Sequence, residues 1–142
     1  MSLSALSFWS VLAAAVAAWL AGAGYYTILA EPWAAALGTN TDHLRRERAA
    51  KAGTPAAWAP FLLAFVADLV AAWAVALLMV HMDMTGPRGG AVTGGLAWLG
   101  FVATTIAVNN TFAGRKVMLG VIDAGHWLIA LVLMGAVIGW VG

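Results

Sequence analysis

Two aspartates, a histidine and an asparagine pair stand inside apolar sequence: Asp68 in "AFVADLVAAW", and Asn109, Asn110, Asp123 and His126 in "IAVNNTFAGRKVMLGVIDAGHW". Asp123 and His126 are three residues apart, so a helix places them on one face. A carboxylate beside an imidazole can exchange a proton with it, which gives a pH-sensitive pair. Asp68 lies ten residues past Trp58, roughly 15 Å along a helix and so near mid-membrane if this segment crosses lipid. A charged side chain there costs a few kcal/mol even on lenient insertion scales. Asp68 must therefore be neutral, paired or facing a hydrated space. Thr104 and Thr105 can return their hydroxyls to helix carbonyls, and Tyr25 and Tyr26 add phenols nearer the end of the first apolar run. The candidate site is thus an intramembrane polar cluster of Asp68, Asp123, His126, Asn109, Asn110, Thr104, Thr105, Tyr25 and Tyr26.

Other chemistry is poorly supplied. There is no cysteine, which excludes disulfides and thiolate metal sites. Serine is confined to the first ten residues, away from any candidate base. Asp68, Asp123 and His126 offer three oxygen and nitrogen ligands, but at no spacing typical of a metal site, so no metal and no cofactor is implied. "HMDMTGPRGG" reads as a tight reversing turn rather than a metal loop. His43 has no neighbouring ligand and is expected to face water.

The elements that must position these residues follow from composition. Of 142 residues, 63% are hydrophobic and 9% charged, against about 25% charged in soluble domains. The chain reads as an integral membrane protein, and its few basic residues give no nucleic-acid surface. Four apolar runs, about 3–29, 57–80, 90–108 and 117–141, are long enough to span a bilayer as helices. The expected fold is all-α: one transmembrane domain over 1–142, a four-helix bundle with a short interfacial helix after the first span. That helix is expected in "EPWAAALG", with Pro32 in its first turn and Gly38 at its end. The start "MSLSALSFWS" lacks the positive region of a signal peptide, so the first run is read as a retained helix. Helix two is expected to begin around Pro60, and Thr41 or Asp42 to cap a short helix in the polar loop 39–56.

Charge placement orients the spans. Arg45, Arg46, Arg48 and Lys51 lie between the first and second, Arg115 and Lys116 between the third and fourth, and Arg88 alone between the second and third. Basic residues in short loops mark the cytoplasmic side. Both termini are then expected on the outer side. Small residues also recur at intervals of four: Ala14, Ala18 and Gly22; Gly90 and Gly94; Gly135 and Gly139. Such faces let helices approach closely, within the bundle or between two copies.

The ordered set Gly24, Tyr25, Tyr26, Pro32, Trp33 and Gly38, followed by Gly100, Phe101, Thr104, Thr105, Asn109, Phe112, Arg115, Asp123 and His126, resembles the bacterial membrane family catalogued as domain of unknown function 1761. The resemblance implies a small four-span protein of the bacterial cytoplasmic (inner) membrane and no particular substrate. Three roles fit the residues. The polar cluster could fix helix register in a structural or accessory subunit. It could hold a small ligand or a proton in a carrier, for which four helices suggest a homodimer. It could serve a lipid-modifying enzyme. The non-enzymatic structural role asks for the fewest additional features, with the bilayer and a homo-oligomer or larger membrane complex as partners.

Overall fold

The computed structural model describes residues 7–142. The expected start of the first span at Leu3 lies outside the described residues. Among those described, every regular element is helical: α1 (Phe8–Ile28), α2 (Ala30–Ala36), α3 (Thr41–Ala50), α4 (Pro55–His81), α5 (Gly86–Ala97), a π-helical segment (Trp98–Ala103), α6 (Thr104–Phe112) and α7 (Val117–Val141). The third span runs unbroken from Gly86 to Phe112 through the π-helical segment. Together with α1, α4 and α7 it makes four helices long and apolar enough to cross a membrane.

Local chemistry sets the helix ends. The Ser7 hydroxyl oxygen accepts from the Trp9 amide at the start of α1. Asn40, rather than Thr41 or Asp42, caps α3: its side-chain oxygen accepts from the His43 amide at 2.8 Å. Its extended backbone leaves the carboxamide below the open first turn, whereas Thr41 and Asp42 are already helical. Helix α4 begins at Pro55, five residues before the expected start at Pro60. Proline at the first helical position costs no hydrogen bond, since that amide has no partner in any helix. Gly38, at a left-handed φ of 81°, lies just past the end of α2.

Helix α7 is the central element and packs against α1, α4 and α5. Its contact with α5 is backbone on backbone. A methyl group on Gly90 would fall onto the Gly135 carbonyl, one on Gly94 onto the Leu131 carbonyl, and one on Gly139 onto the Gly86 carbonyl. The three matches step by four residues along two antiparallel helices. The GxxxG spacing of Gly135 and Gly139 is therefore used inside the bundle, where close approach maximises dispersion and Cα–H···O contact. On α1, Val11, Ala14, Ala15, Ala18 and Gly22 form the buried stripe.

Packing is uneven along the bundle axis. The buried residues of α4 are Asp68, Ala72, Val75, Ala76 and Met79, all from its midpoint onward. Those of the third span lie between Gly90 and Ala97, and α6 has none. The core of Val11, Ala14, Ala18, Val75, Met79, Leu131, Met134 and Ile138 thus fills the half of the bundle away from α2 and α3. The other half, which carries α2, α3, Arg115 and Lys116 and is called the basic end below, is more loosely assembled.

Candidate functional site

At the basic end, α1 and α7 meet through polar groups. Tyr25 and Tyr26 are adjacent in sequence and take different partners. The Tyr25 hydroxyl donates to the Ile122 carbonyl at 2.9 Å. The Tyr26 hydroxyl donates to Oδ1 of Asp123, also at 2.9 Å. The His126 ring lies 5.0 Å from the Tyr26 ring and 5.9 Å from that of Tyr25, centroid to centroid. Two glycines make this possible. A methyl group on Gly22 of α1 would come within 2.6 Å of His126 Nε2, and one on Gly125 of α7 within 2.6 Å of the Tyr25 hydroxyl. Each helix leaves out a side chain where the other inserts a polar one.

Helix α2 closes one side of this arrangement. Trp33 packs edge-on against Tyr26 at 5.8 Å. Lys116, just before α7, donates from Nζ to the Ala35 carbonyl at 2.8 Å. Between α2 and the start of α7 lies an open cleft of about 570 Å³, lined by Trp33, Ala36, Leu37, Gly114, Arg115, Lys116, Leu119 and Asp123. Arg115 and Lys116 are exposed at its mouth, and Asp123 is partly buried within it. Among the described residues, no salt bridge joins Asp123 to either cation or to His126.

The structure brings together Tyr25, Tyr26, Asp123 and His126, and separates the other expected members. Trp19 fixes the register of α1 against α4: its indole N–H donates to the Phe61 carbonyl at 3.2 Å and its ring packs on Phe65. Asp68 lies at least three residues beyond that level toward the packed half. Tyr26, and with it Asp123, lies seven residues toward the basic end. The two aspartates are therefore about 15 Å or more apart along the axis. Asp68 is 4% exposed, and among the described residues no hydrogen bond or salt bridge reaches it.

Thr104 and Thr105 do bond back to their own helix, to the Gly100 and Phe101 carbonyls, and both are exposed. They do not enter the cluster, because those bonds satisfy their hydroxyls on the outer face of the third span. Asn109 is exposed as well. Asn110 turns inward: its Nδ2 is buried against Gly120 of α7, without a hydrogen-bond partner among the described residues. Trp33, Arg115 and Lys116 belong to the site but are not among the candidate site residues of the sequence, where Arg115 and Lys116 orient the spans and Trp33 and Arg115 belong to the family resemblance. The signal was available for Lys116, which lies seven residues, two full turns, before Asp123 and so on the same face of α7. His43 sits on α3 with Nε2 3.4 Å from Glu47, both side chains exposed. Among the described residues, no group of three or more His, Cys, Asp or Glu side chains could hold a metal ion.

Four apolar helices of spanning length around a polar α1–α7 contact define a multi-pass helical membrane protein. Residues 9–139 match the family described as protein of unknown function (DUF1761), and the chain belongs to that family. No curated protein and no solved structure matches it.

Proposed function

We propose that the chain is a non-enzymatic protein of the bacterial inner membrane that holds a small polar ligand in the cleft between α2 and α7. The observation that carries this reading is the cleft itself. It reaches a partly buried carboxylate, Asp123, whereas a purely structural polar cluster would be closed. Its size falls within the range of small-molecule sites, about 300–1,000 Å³. The non-enzymatic part rests on Asp123 and His126. They share a face, but Asp123 is bonded to Tyr26 and forms no salt bridge with the imidazole. Among the described residues, Asp123 and His126 are not paired as a carboxylate–histidine base. Six of the seven basic residues lie at the basic end, which the positive-inside rule assigns to the cytoplasm. The cleft then opens toward the cytoplasm.

A structural role is supported by different atoms. Tyr25 donates to the Ile122 carbonyl, and Trp98 Nε1 to the Ala124 carbonyl at 2.8 Å. These bonds tie α1 and the third span to α7 in fixed register and leave the cleft free. The test is a thermal-shift screen of the detergent-solubilised chain against amines, carboxylates and phosphomonoesters. A solute at a hundred times its Kd should stabilise the chain by about 2.7 kcal/mol, and Asp123→Asn should abolish the shift. A panel without a stabilising solute, or shifts that survive Asp123→Asn, would remove the reading.

A further inference from the structure

We propose that the cleft takes a zwitterion, an anionic phosphate joined to a primary ammonium, as presented by the headgroup of an ethanolamine phospholipid. The proposal rests on the reading that the cleft binds a ligand and names that ligand's class. Its ground is a charge arrangement. Arg115, Lys116 and Asp123 line one cleft, the two cations exposed and the carboxylate partly buried, yet among the described residues no salt bridge closes between them. Lys116 and Asp123 are two helical turns apart, about 10 Å between backbones. A ligand that meets both charges must reach across that gap.

Single charges fit less well. A simple anion drawn to Arg115 and Lys116 meets the carboxylate of Asp123 further in. A simple cation drawn to Asp123 must pass the two basic side chains. A zwitterion satisfies both ends, with its phosphate on the cations and its ammonium inward. Lys116 gives one of its three N–H bonds to the Ala35 carbonyl and keeps two. Arg115 is exposed and keeps its planar fork, which suits phosphate. Trp33 lines the cleft together with Asp123. Aromatic faces next to a carboxylate favour an ammonium group. Leu37 and Leu119 supply apolar wall for the carbons attached to the headgroup. The cleft also lies where α1 ends, the short α2 begins and α7 starts, the end of the spans at which lipid headgroups are expected.

The experiment uses the full chain in detergent micelles and isothermal calorimetry. The probes are dihexanoyl phosphatidylethanolamine, dihexanoyl phosphatidylglycerol and free phosphoethanolamine. The ethanolamine lipid is expected to bind about tenfold tighter than the glycerol lipid, equivalent to about 1.4 kcal/mol. Asp123→Asn should erase that preference by weakening the ethanolamine lipid alone. Arg115→Gln, on an exposed side chain, should weaken both lipids and so tests the phosphate end without disturbing the α1–α7 contact. Equal binding of the two lipids, or a preference that persists in Asp123→Asn, overturns the zwitterion. Free phosphoethanolamine binding as tightly as its lipid supports the same chemistry from a soluble source, and tighter binding of the lipid supports the bilayer source. If simple amines, carboxylates or phosphomonoesters bind while both ethanolamine probes do not, the cleft remains a ligand site and only its assigned class falls. If no probe and no solute of that panel binds, the ligand reading falls with it.

Discussion

The Tyr26 hydroxyl reaches Asp123 Oδ1 across 2.9 Å, joining the last turns of α1 to the second turn of α7. The bond holds a carboxylate that would otherwise face apolar surroundings with one fewer donor. Hydrogen bonds between membrane helices average well under 2 kcal/mol in double-mutant cycles, because unfolded segments in lipid also find partners. Tyr26→Phe should therefore lower stability by about 1 kcal/mol. In a cycle with Asp123→Ala, which leaves the Tyr26 hydroxyl no acceptor at that position, most of that loss should appear as coupling. Thermal unfolding in micelles, followed by circular dichroism, measures it. A coupling near zero would mean that the pair is not formed in the folded chain.

The glycines predict a graded response to alanine. At Gly90 and Gly135 the added methyl meets the backbone carbonyl of the facing helix, which can yield only if the two helices separate. Gly90→Ala and Gly135→Ala should each cost about 2–3 kcal/mol or more. At Gly22 the methyl meets the far end of the His126 side chain, which can rotate. Gly22→Ala should cost less and should shift the His126 imidazole resonances in NMR spectra. At Gly24 nothing lies within 4 Å, and alanine should be neutral or stabilise the helix by up to about 1 kcal/mol. Melting curves that did not follow this order would contradict the packed α5–α7 seam.

The four spans were legible because apolar length is a one-dimensional property. So was the Asp123–His126 face, which needs only helical periodicity. The register between helices was not. Whether Asp68 stands level with Asp123 depends on how α4 slides along α1, and that is set by Trp19 lodging against Phe61 and Phe65, a contact 42 residues apart in sequence. The role of Gly22 was half visible: a stripe of small residues announces a close neighbour, but not that the neighbour is an imidazole. The cleft was hidden for a similar reason. It exists because α2 folds back over the start of α7, and Lys116 meets Ala35 across 81 residues.

Helix α6 follows the π-helical segment and contributes no buried residue, so its docking on α7 is loose. It rests on Ile106 and Asn110 against Gly120. The chain has no native cysteine, which makes a paired test clean. Ile106→Cys with Gly120→Cys should form an intramolecular disulfide on mild oxidation, seen as a mobility shift that reductant reverses. Val108→Cys with Gly120→Cys should not, because Val108 is exposed on another face of α6. Equal cross-linking of both pairs would indicate that α6 rotates freely below the π-helical segment.

Asp68 makes the opposite prediction from Asp123. It is buried on the α4 face that also carries Ala72, Val75, Ala76 and Met79, and no partner is found among the described residues. Apart from Ser10, the buried residues of the α1 and α7 stripes that form the core with that face are apolar, including Ala14, Ala15, Ala18, Ala130, Leu131 and Met134. An ionisable group in such a place costs a few kcal/mol and is offset by no bond from the described residues. Asp68→Asn keeps the shape and removes the ionisable group. It should leave the melting temperature unchanged or raise it, by up to about 3 kcal/mol of stability. Thermal unfolding of the solubilised chain decides the point. A loss of more than about 1 kcal/mol would mean that the carboxylate is held by a donor from outside the chain, and a repeat at several protein concentrations would show whether a second copy supplies it.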